Sequence, residues 1–210
     1  MEHDLDTTLD RPGAWMQTNS GKKFYPEDPR PEDICMNDIA NGLALDIRYG
    51  GQGDIYKPLT VAEHSTHMAR HVMRETWADD QLMYRVAFLA LLHDAPEAYL
   101  NDLTRPVKKA VGEAYYSLEA KLEEVIFVKY DLLDTHARWA AYIKELDIRI
   151  IPLEKAAVHP RAQAWLSDHQ DPLPHVYIQC WSAPDAKGHF LATYDNICKG
   201  LKIKPEEYHI

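Results

Sequence analysis

The segment FLALLHDAPEAYLNDLTRPVKKA, residues 88–110, ends an apolar run on a histidine and an aspartate, with a glutamate and a second aspartate just beyond. A helix that only buries itself stops on Gly or Asn, or on a basic residue that suits its C-terminus. Here His93, Asp94, Glu97 and Asp102 put metal-binding and proton-transfer groups where a buried helix opens into a turn. Two further groups of this kind lie on apolar faces elsewhere. His64 is in step with Val61, Met68 and Val72, and Asp147 lies between Leu146 and Ile150 in KELDIRIIPLE.

A carboxylate in such a stretch is costly unless it is paired or coordinates a cation. Two imidazoles and two carboxylates suit a first-row divalent ion and leave two positions of an octahedron for water or substrate oxygen. Taken singly, each residue has a plainer alternative. A histidine on an apolar helix face is more often a hydrogen-bonded core residue, and Asp147 can pair with Lys144 or Arg149.

The elements that must position these groups are helical. Residues 36–45 read as a short helix that Asn37 can cap, followed by a glycine-punctuated loop closed by Pro58. Thr60 with Glu63 forms the S/T-x-x-E pattern of a capping box, which predicts a helix over 61–76. A second helix is expected over 80–93, with Leu82, Val86, Leu89 and Ala90 inward. Thr104 and Pro106 start a third that runs on through YYSLEAKLEEVIFVKYD. The next spans 135–156, with Trp139, Ile143, Leu146, Ile150 and Leu153 on one side, and a last helix covers 183–200. VYIQCW reads as a short strand. Residues 1–35, rich in Pro, Asp and Gly, form an irregular arm, so the expectation is an all-α domain over 36–210 that ends in a C-terminal helix.

Composition narrows the function classes. With 210 residues, 46% of them hydrophobic and 27% charged, the chain can bury one sizeable core. A net charge of −10 and the lack of a basic stripe argue against a nucleic-acid polymer as partner. A small phosphorylated substrate stays possible, because a few local cations or a metal ion reverse the field inside one pocket. No apolar run reaches bilayer length, and the acidic start MEHDLDTTLD is no signal peptide, so the expectation is a cytoplasmic protein with no membrane partner. Cys35, Cys180 and Cys198 are odd in number and far apart, which suits neither a disulfide framework nor a thiolate zinc site.

The order of the candidate residues adds what spacing alone does not. AEHSTHMA, LLHDAPEAYLNDLTRPVK and ELDIRIIPLE together resemble the HD-domain superfamily of metal-dependent phosphohydrolases. HDAPEAYLNDLTRPVK is similar to the HD-x-x-E-x(4)-D segment of its bacterial nucleotidase branch. The resemblance implies an HD-type helical bundle in which His64, His93, Asp94 and Asp147 hold one divalent metal ion (Mn, Co, Zn, Fe, Ni or Mg). It implies a proton-handling role for Glu97, and a water-positioning role for Asp102. Arg48 and Tyr49 correspond to a nucleotide-contacting pair, although the branch usually has Trp at the position of Tyr49. His67, one turn after His64, is expected to face the pocket, with His71 at its rim. Lys108 is the candidate phosphate contact among Lys57, Arg105, Lys108 and Lys109. A plainer reading pairs Arg48 with Asp46 or Asp54. His136 reads as part of an exposed helix start, which favours a single metal.

The activity so implied is hydrolysis of a nucleotide, first a deoxyribonucleoside 5′-monophosphate to nucleoside and phosphate. The alternatives are a deoxynucleoside triphosphate hydrolase releasing triphosphate, and a non-catalytic nucleotide-binding module. The resemblance also implies a homo-oligomer.

Overall fold

The computed structural model describes residues 11–159 and 161–207. Its helices are α1 (Met36–Leu45), α2 (Val61–Val72), α3 (Asp80–Leu92), α4 (Glu97–Leu100), α5 (Arg105–Val111), α6 (Glu113–Lys129), α7 (Leu133–Val158) and α8 (Ala183–Leu201). One small antiparallel pair, β1 (Met16–Gln17) and β2 (Lys23–Phe24), is the only sheet among the described residues. The fold is all-α, as the periodicity predicts. No helix among these residues is long and apolar enough to cross a membrane. The three cysteines are free thiols, Cys198 buried and the other two partly so.

Helices α2 and α3 form the centre: α3 is almost wholly apolar after its first turn, and α2 is buried nearly all round although it carries Glu63, His64, Ser65, Thr66, His67 and His71. Val61, His64, Met68 and Val72 of α2 are fully buried, as are Val86, Leu89 and Ala90 of α3. Helices α1, α7 and α8 pack around this pair. Ile143, Leu146 and Ile150 supply the buried stripe of α7, with Trp139 and Leu153 partly buried beside it.

Several elements differ from the sequence expectation, each for a local reason. The capping side chain of α1 is not Asn37; the cap position is Cys35, without a side-chain hydrogen bond. Helix α2 stops at Val72, whose carbonyl accepts the indole N–H of Trp77 at 3.0 Å. The expected third helix breaks in two at Gly112, where φ is +75°, a conformation that costs a glycine nothing and any other residue a steric clash. The arm is not irregular throughout. Its hairpin sends Phe24 into the core, where it stacks on Tyr99 at 4.5 Å, and Arg11 ties Asp28 and Asp33 together behind it. Residues 1–10 of the expected arm lie outside the described residues. Helix α4 lies flush on α1, since a Cβ at Gly42 would come within 2.5 Å of the Ala98 carbonyl oxygen.

The VYIQCW segment is not a strand, because Glu63 takes its backbone donors. Thr60 caps α2 by accepting the Glu63 N–H at 3.1 Å, but the Glu63 side chain does not return to complete a capping box. It accepts N–H groups of Gln179 (2.7 Å), Cys180 (3.0 Å) and Trp181 (2.6 Å). Burial opposes its charge, yet His67 and these donors hold the carboxyl below its ordinary range. One buried carboxylate thus fastens the segment before α8 to the central helix. Glu63→Ala leaves three backbone donors without an acceptor, so we expect a loss of about 3 kcal/mol, a fall in Tm of roughly 6–12 °C. Thermal unfolding followed by circular dichroism checks it; an unchanged Tm would show that water replaces the carboxylate at no cost.

Candidate metal centre

His64 leaves the buried face of α2, His93 and Asp94 follow the last residue of α3, and Asp147 leaves the buried stripe of α7. His64, His93 and Asp94 form a group able to hold a metal ion. His64 Nε2 lies 3.2 Å from His93 Nε2 and 3.6 Å from Asp94 Oδ2, and His93 Nε2 lies 3.2 Å from that same oxygen. Asp147 reaches the group through Oδ1, 3.6 Å from His64 Nε2. Ligand atoms about 2.1 Å from one ion stand roughly 3.0–3.5 Å from one another, close to the 3.2–3.6 Å found here.

The tautomers strengthen the fit. His93 Nδ1 faces the carbonyl of Ala90 at 2.8 Å, and a carbonyl only accepts, so Nδ1 carries the proton. His64 Nδ1 faces Glu154 Oε1 at 2.6 Å. Burial opposes the charge of Glu154, but Arg48, His64 and Tyr49 pull its carboxyl down to about 2, so it is ionised and accepts. In the neutral imidazoles both Nε2 atoms therefore present lone pairs, to each other and to two carboxylates. Three acceptors converge, with Asp147 Oδ1 beside His64 Nε2, an arrangement that a divalent cation satisfies. Burial works against the charged forms, yet mutual attraction holds the Asp94 carboxyl below its ordinary value and raises His93 above its own.

Glu154 is the residue that sequence reasoning missed. It is fully buried, it orients His64, and it accepts from Arg48 Nε (3.2 Å) and Tyr49 Oη (2.5 Å). The available signal was its place two helical turns after Asp147, on the same face of α7.

Arg48 pairs with neither Asp46 nor Asp54 but turns inward, 3.5 Å from Asp94 and 4.0 Å from Asp147. Burial disfavours its charge, and Glu154 leads the groups that keep it firmly cationic. Asp147 is held at its outer oxygen by Lys144 (2.5 Å), whereas Arg149 points away to Glu145 and the Asp171 carbonyl. Glu97 opens α4, its carboxyl buried. Lys108 bridges Glu97 Oε1 (3.0 Å) and Glu119 Oε1 (2.7 Å), and Glu97 Oε2 has no hydrogen-bond partner. Burial, then Asp94 and Asp102, push this carboxyl well above its usual range, against the pull of Lys108. Asp102 lies in the adjoining cavity wall. Its own N–H donates to Asp46 Oδ2, and burial raises its carboxyl too.

One expected contact is not made. His67 turns to Glu63 (3.4 Å) and the ring of Trp181 (5.0 Å), not to the metal group. Three residues advance a helix by about 300°, so His67 is rotated some 60° from His64, enough to face the segment before α8. His71 is not at the cavity rim; it is buried beside Glu75 (3.5 Å), a packing contact that lines neither central cavity. His136 is not the exposed helix start that its neighbours suggest. It lies against Phe127 at 4.9 Å and lines a cavity with His93.

Two cavities meet at the centre and share Asp94, Glu97, Lys144 and Asp147. The first, about 550 Å³ between α3, α6 and α7, is walled by Glu119, Glu123 and His136 with Phe127 and Ile143. The second, about 810 Å³, carries the cations Arg48, Arg105 and Lys108, and opens toward Tyr49, Trp165 and Ile151.

If Glu154 sets the tautomer of His64, Glu154→Ala should weaken divalent-metal affinity about 10- to 100-fold, and Glu154→Gln less. Titration calorimetry with Mn²⁺ or Co²⁺ on the folded variants reads this directly. Equal affinities in wild type and Glu154→Ala would leave Glu154 only a partner for Arg48.

No family model matches the sequence. Over 119 residues the chain is 38% identical to an uncharacterized protein of Rhodobacter capsulatus, covering 57% of this chain and 59% of the relative. It is 34% identical over 119 residues to the uncharacterized protein YfdR of Escherichia coli, covering 57% of this chain and 60% of the relative. The chain therefore spans about three-fifths of the length of these curated relatives, and neither name states an activity.

Proposed function

We propose that this protein is a metal-dependent phosphohydrolase of the HD type that acts on deoxyribonucleoside 5′-monophosphates. The observation that carries the reading is the meeting of three acceptor atoms, from His64, His93 and Asp94, with Asp147 3.6 Å from His64, beside an inward-turned arginine and the buried carboxyl of Glu97. The order H…HD…D of the resemblance supports it. A divalent ion bound by these residues supplies Lewis-acid polarisation of phosphoryl oxygens and lowers the pKa of water.

The other steps belong to the chain's own groups. Arg48 offers guanidinium N–H groups to the phosphate oxygens, where its planar fork suits two-point contact. Asp102, in the wall of the same cavity, accepts a proton as water oxygen bonds to phosphorus. Glu97 gives its proton to the departing ribose O5′ as the P–O5′ bond breaks. Lys108 fixes the orientation of Glu97 through Oε1, which leaves Oε2 for that transfer.

The charge inventory favours a monophosphate over the triphosphate alternative. Lys108 is taken up by Glu97 and Glu119, Lys144 by Asp147, and Arg105 lies 3.5 Å from Asp147, which leaves Arg48 for the one phosphate. Little uncompensated positive charge is left for two further phosphates. Chromatography of products from a deoxynucleotide panel with Mn²⁺ or Co²⁺ should show nucleoside and inorganic phosphate. Released triphosphate would transfer the reading to the alternative, and no turnover of any nucleotide would leave a binding module.

Glu97→Gln separates chemistry from binding. Its amide keeps an oxygen for Lys108 but has no acidic proton, so kcat should fall about 10²- to 10⁴-fold while metal affinity stays at the wild-type value. A wild-type kcat in this variant would make Glu97 a structural partner of Lys108 and nothing more.

A further inference from the structure

The larger cavity has two chemically different ends. Around the metal group it is lined by charges, but away from it the walls are Ile148 and Ile151 of α7 and Trp165 and Leu166 of the loop beyond that helix. This loop is built firmly at one point. Trp165 N–H donates to Asp168 Oδ2 at 2.8 Å, and Lys155 of α7 pairs with Asp168 at 2.5 Å, closing a single 3₁₀ turn (Leu166–His169) onto the helix. The Trp165 ring stands against His159 (5.2 Å) and Tyr49 (5.6 Å), with the Lys155 ammonium 5.2 Å over its face. The indole is thus set in one pose by three neighbours while part of it stays exposed at the cavity wall.

A large aromatic residue in such a place does not serve the hydrolysis itself. Tyr49, the ring between Trp165 and the metal group, is pinned at its hydroxyl by Glu154. The row Glu154, Tyr49, Trp165 therefore runs from the ligand-orienting carboxylate to the apolar end of the cavity. We infer that Trp165 is a base-binding residue, against which the planar base of the nucleotide stacks while its phosphate lies at the metal group. This rests on the nucleotide reading above and adds to it the part of the molecule that recognises the base. Stacking of this kind tolerates every base because each has a π face.

The discriminating experiment uses two substrates that share the phosphate: dAMP and 2-deoxyribose 5-phosphate, which lacks the base. Trp165→Ala should raise KM for dAMP about 5- to 150-fold, the range for loss of one base–aromatic stack, and leave hydrolysis of the sugar phosphate at the wild-type rate. Trp165→Phe should recover most of the dAMP affinity. Calorimetric binding of dAMP in EDTA, on the same proteins, gives a readout that does not depend on turnover and should show the same order. Equal losses on both substrates would mean that the ring only packs Tyr49 and His159, and would overturn the inference. If neither substrate is hydrolysed, the hydrolase reading falls, and the binding series alone decides whether Trp165 holds a base. Wild-type dAMP affinity in Trp165→Ala would then end the stacking proposal.

Discussion

The interaction on which the rest depends is the buried contact between Glu154 and His64. A carboxylate with no exposure to water is tolerable only when it is met by positive charge and donors on every side. Glu154 is met by the Nδ1 proton of His64, the guanidinium of Arg48 and the hydroxyl of Tyr49. These partners come from α2 and from the 3₁₀ turn Arg48–Gly51 that follows α1, while Glu154 itself belongs to α7, so a single charge fixes three parts of the chain relative to one another. It also bears on the chemistry, because the proton on His64 Nδ1 leaves Nε2 an acceptor able to hold a metal ion.

Around that contact the charges sort by depth. Arg48 is sunk among Glu154, Asp94 and Asp147, and Lys108 and Lys144 sit farther out on Glu97 and Asp147. Each carboxylate is thereby kept in the state its place requires. Burial opposes the charge of Asp94, yet His93, His64 and Arg48 hold its carboxyl below the ordinary value, whereas burial, Asp94 and Asp102 push Glu97, with one oxygen unpartnered, well above its own. Two carboxyl groups only one turn apart are driven in opposite directions by their surroundings. That divergence is what the proposed division between a metal ligand and a proton donor rests on, in a chain whose overall charge is −10.

The outer frame serves this centre through close backbone contact more than through side-chain bulk. Gly42 lets α1 lie on α4 and so seats Glu97 at the cavity wall. The break at Gly112 turns α6 so that Glu119 meets Lys108 from the far side. Glu63 closes the other flank by holding the segment before α8, with Trp181 brought against His67.

What the sequence determined by itself is the helical fold and the identity of the central residues. His64, His93 and Asp147 are polar groups in strongly periodic apolar stretches, where the cost of burial makes each conspicuous, and Asp94 follows one of them directly. Helix periodicity is a local property, so it can be read without partners. Tertiary structure alone decided the rest. Glu154 stands on the same face as Asp147, but its worth depends on Arg48 and His64, which lie more than 80 residues earlier. His67 shares a helix with His64 and is lost to the site by a rotation of about 60°. The VYIQCW segment has the composition of a strand and no strand partner, since its donors find Glu63 instead. Trp165 gains a role only because α7 and its loop return it to Tyr49. In each case the deciding free energy is that of a contact between distant residues, and no local pattern records which distant residue will be there.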